Sequence, residues 1–338
     1  MPLTLKDIAK IAGVAESTVS RAINNKPGVG EETRKKILKI VEEYNFQPNK
    51  LAQGLAKKQT HILALLLPDL SNPNYPTIIK SIEEVANENG YQVVLCNTDN
   101  NPEKEKGYLE LVERNQVDGA IVVGGELADR HILNLALNKN ASLVLVNRLC
   151  EELTIPTVLV DSARGAYLAT EHLIDQGISE IALIMGLDRE FLESEKLEGY
   201  KQALTDNGIE LNEKLIVQTE GSREAGYRAF LELMKKGVTP GGFFATSDLL
   251  AAGLVEAIKM GGYLIPEDFS VVGYGDSLVS SIITPPLTVV AEPLTRLGKL
   301  AARNLINLLN GKQPAEIIKV LNPSIKVRNS STPHIKDK

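Results

Sequence analysis

From His61 onward the chain alternates short, almost wholly apolar runs with longer amphipathic stretches. The runs "HILALLLP", "YQVVLCN", "GAIVVGG" and "SLVLVNR" are too short for helices and apolar on both faces, as strands covered on both sides of a parallel sheet must be. Helical patterns separate them at about 76 to 89, 103 to 115 and 129 to 139. A second set follows, "TVLVD", "IALIMG", "LIVQT", "GGFFAT" and "FSVVGYGD", again with helices between. Parallel strands need crossover connections, so this alternation predicts an α/β fold of two successive doubly wound parallel sheets.

Before His61 the pattern is different. Thr4 is placed to cap a first helix with Asp7 three residues on, in the manner of a capping box, and Ile8, Ile11 and Ala12 give that helix an apolar stripe. Gly13 ends it in a sharp turn, and a second helix starts within three residues. In "AGVAESTVSRAIN", Val19, Ala22 and Ile23 form an inner face, while Ser17, Ser20, Arg21 and Asn24 form a polar row opposite. A third helix, from about Glu31 to Tyr44, brings Ile37, Ile40, Val41 and Tyr44 to the same small core. Helix, glycine turn and helix with a polar outer face is a helix-turn-helix pattern, whose second helix lies in the major groove of DNA. The polar row also fits the wet side of a small bundle.

Charge bears on that choice. Residues 1 to 60 hold 11 Lys+Arg against 6 Asp+Glu, whereas the rest holds 26 against 37. A basic module on an acidic body suits docking of one end on phosphate. Within the row, Arg21 suits guanine O6 and N7, Glu16 suits cytosine N4, and Ser17 lies near base edges. Thr4, Thr18, Ser20 and Asn24 are better placed for phosphates.

"TLKDIAKIAGVAESTVSRAINN", followed by "EETRKKILKIVEEYNFQPNKLAQGLA", resembles the N-terminal domain of the lac repressor family of bacterial transcription regulators. The resemblance implies a helix-turn-helix domain over 1–46, a hinge helix and linker over 47–60, and a two-lobed, periplasmic-binding-protein-like effector and dimerisation domain over 61–330. Its lobes are expected at about 61–160 with 291–321, and 161–290 with 322–330. In the hinge "PNKLAQGLAKKQ", the resemblance makes Asn49 the N-cap, places Lys50 and Gln53 near phosphates, and makes Leu55 a wedge in the minor groove. Leu55 also fits a small buried linker residue. Family members usually carry Ser where this chain has Ala15, so a helix cap is expected to be missing.

An effector is expected between the lobes, beyond the C-terminal ends of the strands. By resemblance the ligand residues are Asn74 and Tyr75 in "PDLSNPNYP", Arg148 after "VLVN", Asp161, Lys196 in "ESEKLEGY", Ser247 in "ATSDLL" and Asp276 in "GYGDS". Asp161 and Asp276 are equally placed to cap the following helices, and Arg148 to bridge the lobes. The family commonly has Arg, Asn and Asp where this chain has Lys196, Ser247 and Gly275, so a less polar pocket is expected. The expected partners are a double-stranded DNA operator, a second copy of the chain, and a small-molecule effector such as a sugar, a sugar phosphate or a related metabolite. An alternative is the catabolite control branch, whose effector is a phosphocarrier protein; the helix from Pro293 to Asn310, with Arg303, lies in the matching region, where Thr295, Arg296 and Asn307 depart from that branch.

An α/β enzyme with an N-terminal interaction module is the reading from another class. No GxGxxG follows the first strand, no GxxxxGK[ST] loop is present, and His61, His131, His172 and His334 neither cluster nor show zinc spacing. No cofactor or metal is expected. Cys96 and Cys150 lie in apolar runs and read as buried thiols. No segment approaches the length of an apolar membrane span and the N-terminus lacks a signal pattern, so a cytoplasmic protein is expected.

Overall fold

The computed structural model describes residues 3–44, 46, 59–125, 132, 135, 141–150, 154–187 and 190–331. Asn49, Lys50, Gln53 and Leu55 lie outside them, as do His131, His334 and most of 129–139. The chain divides into two compact units, Met1–Thr60 and His61–Lys338.

The first unit has helices α1 (Leu5–Ala12), α2 (Glu16–Ile23) and α3 (Glu31–Glu43). Thr4 and Asp7 form the capping box in both directions, and Gly13 is left-handed at φ 70°. That conformation lets the Gly13 amide reach back to the Ala9 and Lys10 carbonyls while the chain turns into α2. Ile8, Val19 and Ile37, one from each helix, are wholly buried, and Phe46 joins them.

In the second unit the first sheet has β1 (Ile62–Leu67), β2 (Gln92–Asn97), β3 (Gly119–Val123), β4 (Ser142–Val146), β5 (Thr157–Val160) and β11 (Ile318–Leu321). Their order is β11-β5-β4-β3-β1-β2, and every pair is parallel. The second sheet has β6 (Ile181–Gly186), β7 (Ile216–Thr219), β8 (Gly242–Ala245), β9 (Ser270–Gly275), β10 (Thr288–Ala291) and β12 (Ser324–Lys326) in the order β12-β10-β9-β8-β6-β7. Only β12 runs antiparallel to its neighbour. The "TVLVD" run therefore belongs to the first sheet rather than opening the second.

Helices cover both faces of each sheet, which explains the continuous apolar strands. On β1, Leu63, Leu65 and Leu67 face α4 (Tyr75–Glu88) and α11 (Leu294–Leu309), while Ala64 and Leu66 face α5 (Pro102–Glu113). The second sheet is covered by α6 (Ser162–Asp175) and α7 (Glu190–Asp206) on one side, and by α8 (Arg223–Lys235) and α9 (Asp248–Met260) on the other. A short helix, α10 (Leu278–Ile282), follows β9. The chain crosses between the lobes after β5, after β10 and between β11 and β12. No described helix is long and apolar enough to cross a membrane.

Each sheet reverses its winding order beside its first strand, between β1 and β3 in one lobe and between β6 and β8 in the other. Loops leaving the strands there diverge and open a crevice. Both crevices contribute to one cleft.

Candidate functional site

On α2, Val19 and Ala22 are buried and Ile23 is half-buried, while Glu16, Ser17, Arg21 and Asn24 are exposed and Thr18 and Ser20 are half-exposed. The polar row thus faces solvent within its unit. Asn24 Nδ2 donates to the Ser20 carbonyl at 2.8 Å, which tethers the last turn. Ala15 has the extended backbone of an N-cap but supplies no side-chain hydrogen bond to the helix. Thr4 is exposed, and its hydroxyl and amide hold the Asp7 carboxyl below the usual carboxylate range.

Two cations on α3 hold the motif in shape, and the sequence pattern did not reveal them. Arg34 donates to the Ala22 carbonyl at 3.1 Å, the Asn25 side chain at 2.9 Å and the Lys26 carbonyl at 2.7 Å. Lys36 Nζ donates to the Ala12 carbonyl at 3.0 Å. Each of the first two helices ends on carbonyls lacking intrahelical donors, and a cation there also favours the helix dipole.

The interlobe cleft is lined from the first lobe by Asp69, Asn72, Pro73, Asn74 and Asn100. From the second lobe come Gly186, Glu193, Lys196, Gly221, Thr246 to Leu250 and Tyr274, with Glu292 at a crossover. Its empty space, open mouth included, is about 760 Å3. Asn74 lies against Gly275, where any Cβ would overlap its amide.

Of the expected ligand residues, Asn74, Lys196 and Ser247 line this cleft. Lys196 is already engaged: its ammonium donates to Glu193 Oε1 at 2.8 Å and the Thr246 carbonyl at 3.0 Å, and lies 4.3 Å from the centre of the Tyr274 ring. Ser247 caps α9 by accepting from the Leu250 amide at 3.2 Å. The other four do not line it. Tyr75 opens α4 with its ring in the first lobe's core. Arg148 is buried in the first lobe, with both Glu105 carboxylate oxygens at 2.9 Å. Asp161 caps α6 through the Arg164 amide at 2.8 Å. Asp276 caps nothing and instead pairs with Lys326 and Arg328 near the last crossover.

The cleft is also more polar than expected, because Glu193, Asp248 and Glu292 face it. Sequence reasoning missed all three. Asp248 Oδ2 accepts from the Ser277 amide at 2.7 Å, while Oδ1 is buried without a partner, as are Glu193 Oε2, Asn74 Oδ1 and the Tyr274 hydroxyl. Burial pushes the Asp248 carboxyl up to about 6, and the nearby charges of Asp276 and Glu292 push the same way. A carboxyl that holds its proton more tightly folded than unfolded adds stability below its unfolded value near 3.8 and loses it as pH rises through about 6. At pH 7 the ionised group costs on the order of 3 kcal/mol. Asp248→Asn is expected to raise the melting temperature at pH 7 and flatten its dependence between about pH 4 and 6; an unchanged pH profile would contradict this assignment.

Among the described residues no group of His, Cys, Asp and Glu is arranged to hold a metal. His172 lies between Gln176 and Ser331, with its imidazole lowered by burial, and His61 stacks near Tyr91. Cys96 and Cys150 are buried thiols, and burial pushes Cys96 up to about 11, which leaves it unreactive.

Two family models match the chain. Residues 4–49 match "Bacterial regulatory proteins, lacI family", and residues 60–327 match "Periplasmic binding proteins and sugar binding domain of LacI family". The chain belongs to the LacI family. Among similar family members, the HTH-type transcriptional regulator DegA of Bacillus subtilis is 35% identical over 337 residues, covering 98% of this chain and 99% of that one. Catabolite control protein A of Priestia megaterium is 32% identical, with 98% and 100% covered. The structure of the lac repressor dimer bound to operator and the anti-inducer ONPF superposes with a TM-score of 0.87 at 28% identity, covering 98% of this LacI-family chain and all of that one.

Proposed function

We propose that this LacI-family protein is a cytoplasmic, homodimeric repressor that reads a pseudo-palindromic operator and is gated by a small molecule in the interlobe cleft. It acts by binding rather than by catalysis. The observation that carries this reading is the exposed row of Ser17, Arg21 and Asn24 on a helix whose opposite side buries Val19 and Ala22. In this reading Arg21, Glu16 and Ser17 meet base edges, while Thr4, Thr18, Ser20 and Asn24 hold phosphates. Asn49, Lys50, Gln53 and Leu55 are proposed to form the hinge contact. A ligand gates DNA affinity only to the extent that it binds two lobe arrangements with different strengths.

Dimerisation is supported by exposed apolar groups. Val94 and Leu95 lie outward on the edge strand β2, and Leu278 and Ile282 on α10. An apolar edge of that kind is normally covered.

Duplex affinity against salt tests the class, because a protein that neutralises phosphates loses affinity steeply as salt rises and other proteins do not. Arg21→Ala is expected to cost about 1 to 3 kcal/mol and to relax preference at one base position in each half-site. Equal weakening across every operator variant would make Arg21 a phosphate contact instead.

A second reading keeps DNA binding and exchanges the effector. The outward side of α11 exposes Arg296 and Arg303, and one relative is a catabolite control protein. Titration with a phosphorylated phosphocarrier protein tests it; no binding would leave the cleft ligand as effector.

A further inference from the structure

The charges lining the cleft are one-sided. Leaving aside Glu292, which is engaged in an interaction of its own, the described residues Asp69, Glu193 and Asp248 contribute carboxylates and Lys196 the one ammonium. That ammonium is spent on Glu193, the Thr246 carbonyl and the Tyr274 ring. Asp69 accepts from the amide and hydroxyl of Ser71 and holds no cation by these bonds. Glu193 and Asp248 are buried, at 7% and 1% exposure, and each keeps one carboxylate oxygen without a partner. A buried acceptor left open in this way is met by water or by a donor on a ligand, and these two accept hydrogen bonds only.

A phosphate or carboxylate on the ligand would meet like charge here, with no unspent cation among the described lining residues to receive it. Neutral hydroxyls satisfy the acceptors but leave the excess charge in place. A protonated amine does both. We propose that the cleft takes a polyhydroxy ligand bearing a protonated amine, an amino sugar in chemical class, with Glu193 as the group that receives the ammonium. The inference rests on the interlobe cleft being the effector site.

Calorimetric titration of the full-length protein with matched triads tests it: glucosamine, galactosamine and mannosamine, their parent hexoses, and the hexose 6-phosphates. At least one amino sugar is expected to bind on the order of tenfold or more tightly than its parent hexose, and its 6-phosphate counterpart more weakly still. Glu193→Gln keeps an acceptor for Lys196 and is expected to abolish the preference for the amine. In the native protein, raising salt is expected to narrow the gap between amine and hexose without reversing it, which keeps the test independent of the variant's folding. A 6-phosphate that binds best, a hexose that equals its amino derivative, or an absence of binding by every amino sugar would overturn the proposal. Binding of random-sequence duplex by the same preparation separates the two levels. With duplex bound and the amine preference missing, only the ligand class falls; with no duplex bound, the regulator itself is rejected.

Discussion

Gly253→Ala is expected to destabilise the second lobe by about 3 kcal/mol or more. Helices α8 and α9 cross so closely that a Cβ at Gly253 would overlap the Arg223 carbonyl oxygen, and one at Gly226 would overlap that of Leu250. Both obstacles are backbone, which cannot swing aside as a side chain does. Relief requires the helices to separate, opening the core that Ala225, Ala229, Leu250, Ala251 and Leu254 build beneath them. Gly107 gives the matched control: it lies on α5 with open space where a Cβ would go. Gly107→Ala is expected to be neutral or to stabilise by up to about 1 kcal/mol, since alanine loses less freedom in a helix. Thermal melts should show a large loss for Gly253→Ala and none for Gly107→Ala, and equal small shifts would mean that α8 and α9 can part without loss.

Glu105→Ala is expected to cost the first lobe about 3 to 5 kcal/mol. Its carboxylate and Arg148 form a pair whose side chains are only 8% and 2% exposed, so removing the carboxylate takes two charge-assisted hydrogen bonds from a buried guanidinium in low dielectric. A double variant, Glu105→Leu with Arg148→Met, is therefore expected to recover much of the stability lost in the single one. If denaturant melts showed the double variant to be as unstable as the single, the pair would be holding the lobe by its geometry rather than by balancing charge.

Elements whose burial follows a simple period were legible in the sequence. The capping box at Thr4, the turn at Gly13, and the two faces of α2 appear where local spacing put them, because each depends on residues within one or two helical turns. The edge strands were harder. In β11 and β12, Lys319 and Lys326 stand in short runs whose apolar residues, apart from the buried Leu321, are partly or half exposed, so no buried-strand pattern is present to detect. "TVLVD" is a well-formed strand, yet nothing local says which sheet it joins. That depends on where the chain crosses.

The cleft was less legible than the helix-turn-helix for a related reason. Asp248 follows a Ser cap at the start of a helix, where an acidic residue is ordinary, so its burial and open oxygen had no local signature. Glu193 and Lys196 have the spacing of a surface ion pair, although both are buried. Tyr75, beside Asn74 in a stretch rich in Asn and Pro, starts α4 and turns inward, which no local pattern signals. Arg34 and Lys36 act on backbone carbonyls far away in sequence, which no pairwise pattern of side chains records.

Methylation interference on a selected operator tests most directly whether α2 reads DNA from the major groove. Guanine N7 lies in that groove, where Arg21 is proposed to bind it. The expected result is that N7 methylation of one guanine per half-site blocks binding of the native protein, at positions about one helical turn apart, and has much less effect on Arg21→Ala. Binding that tolerates N7 methylation throughout both half-sites would contradict the account.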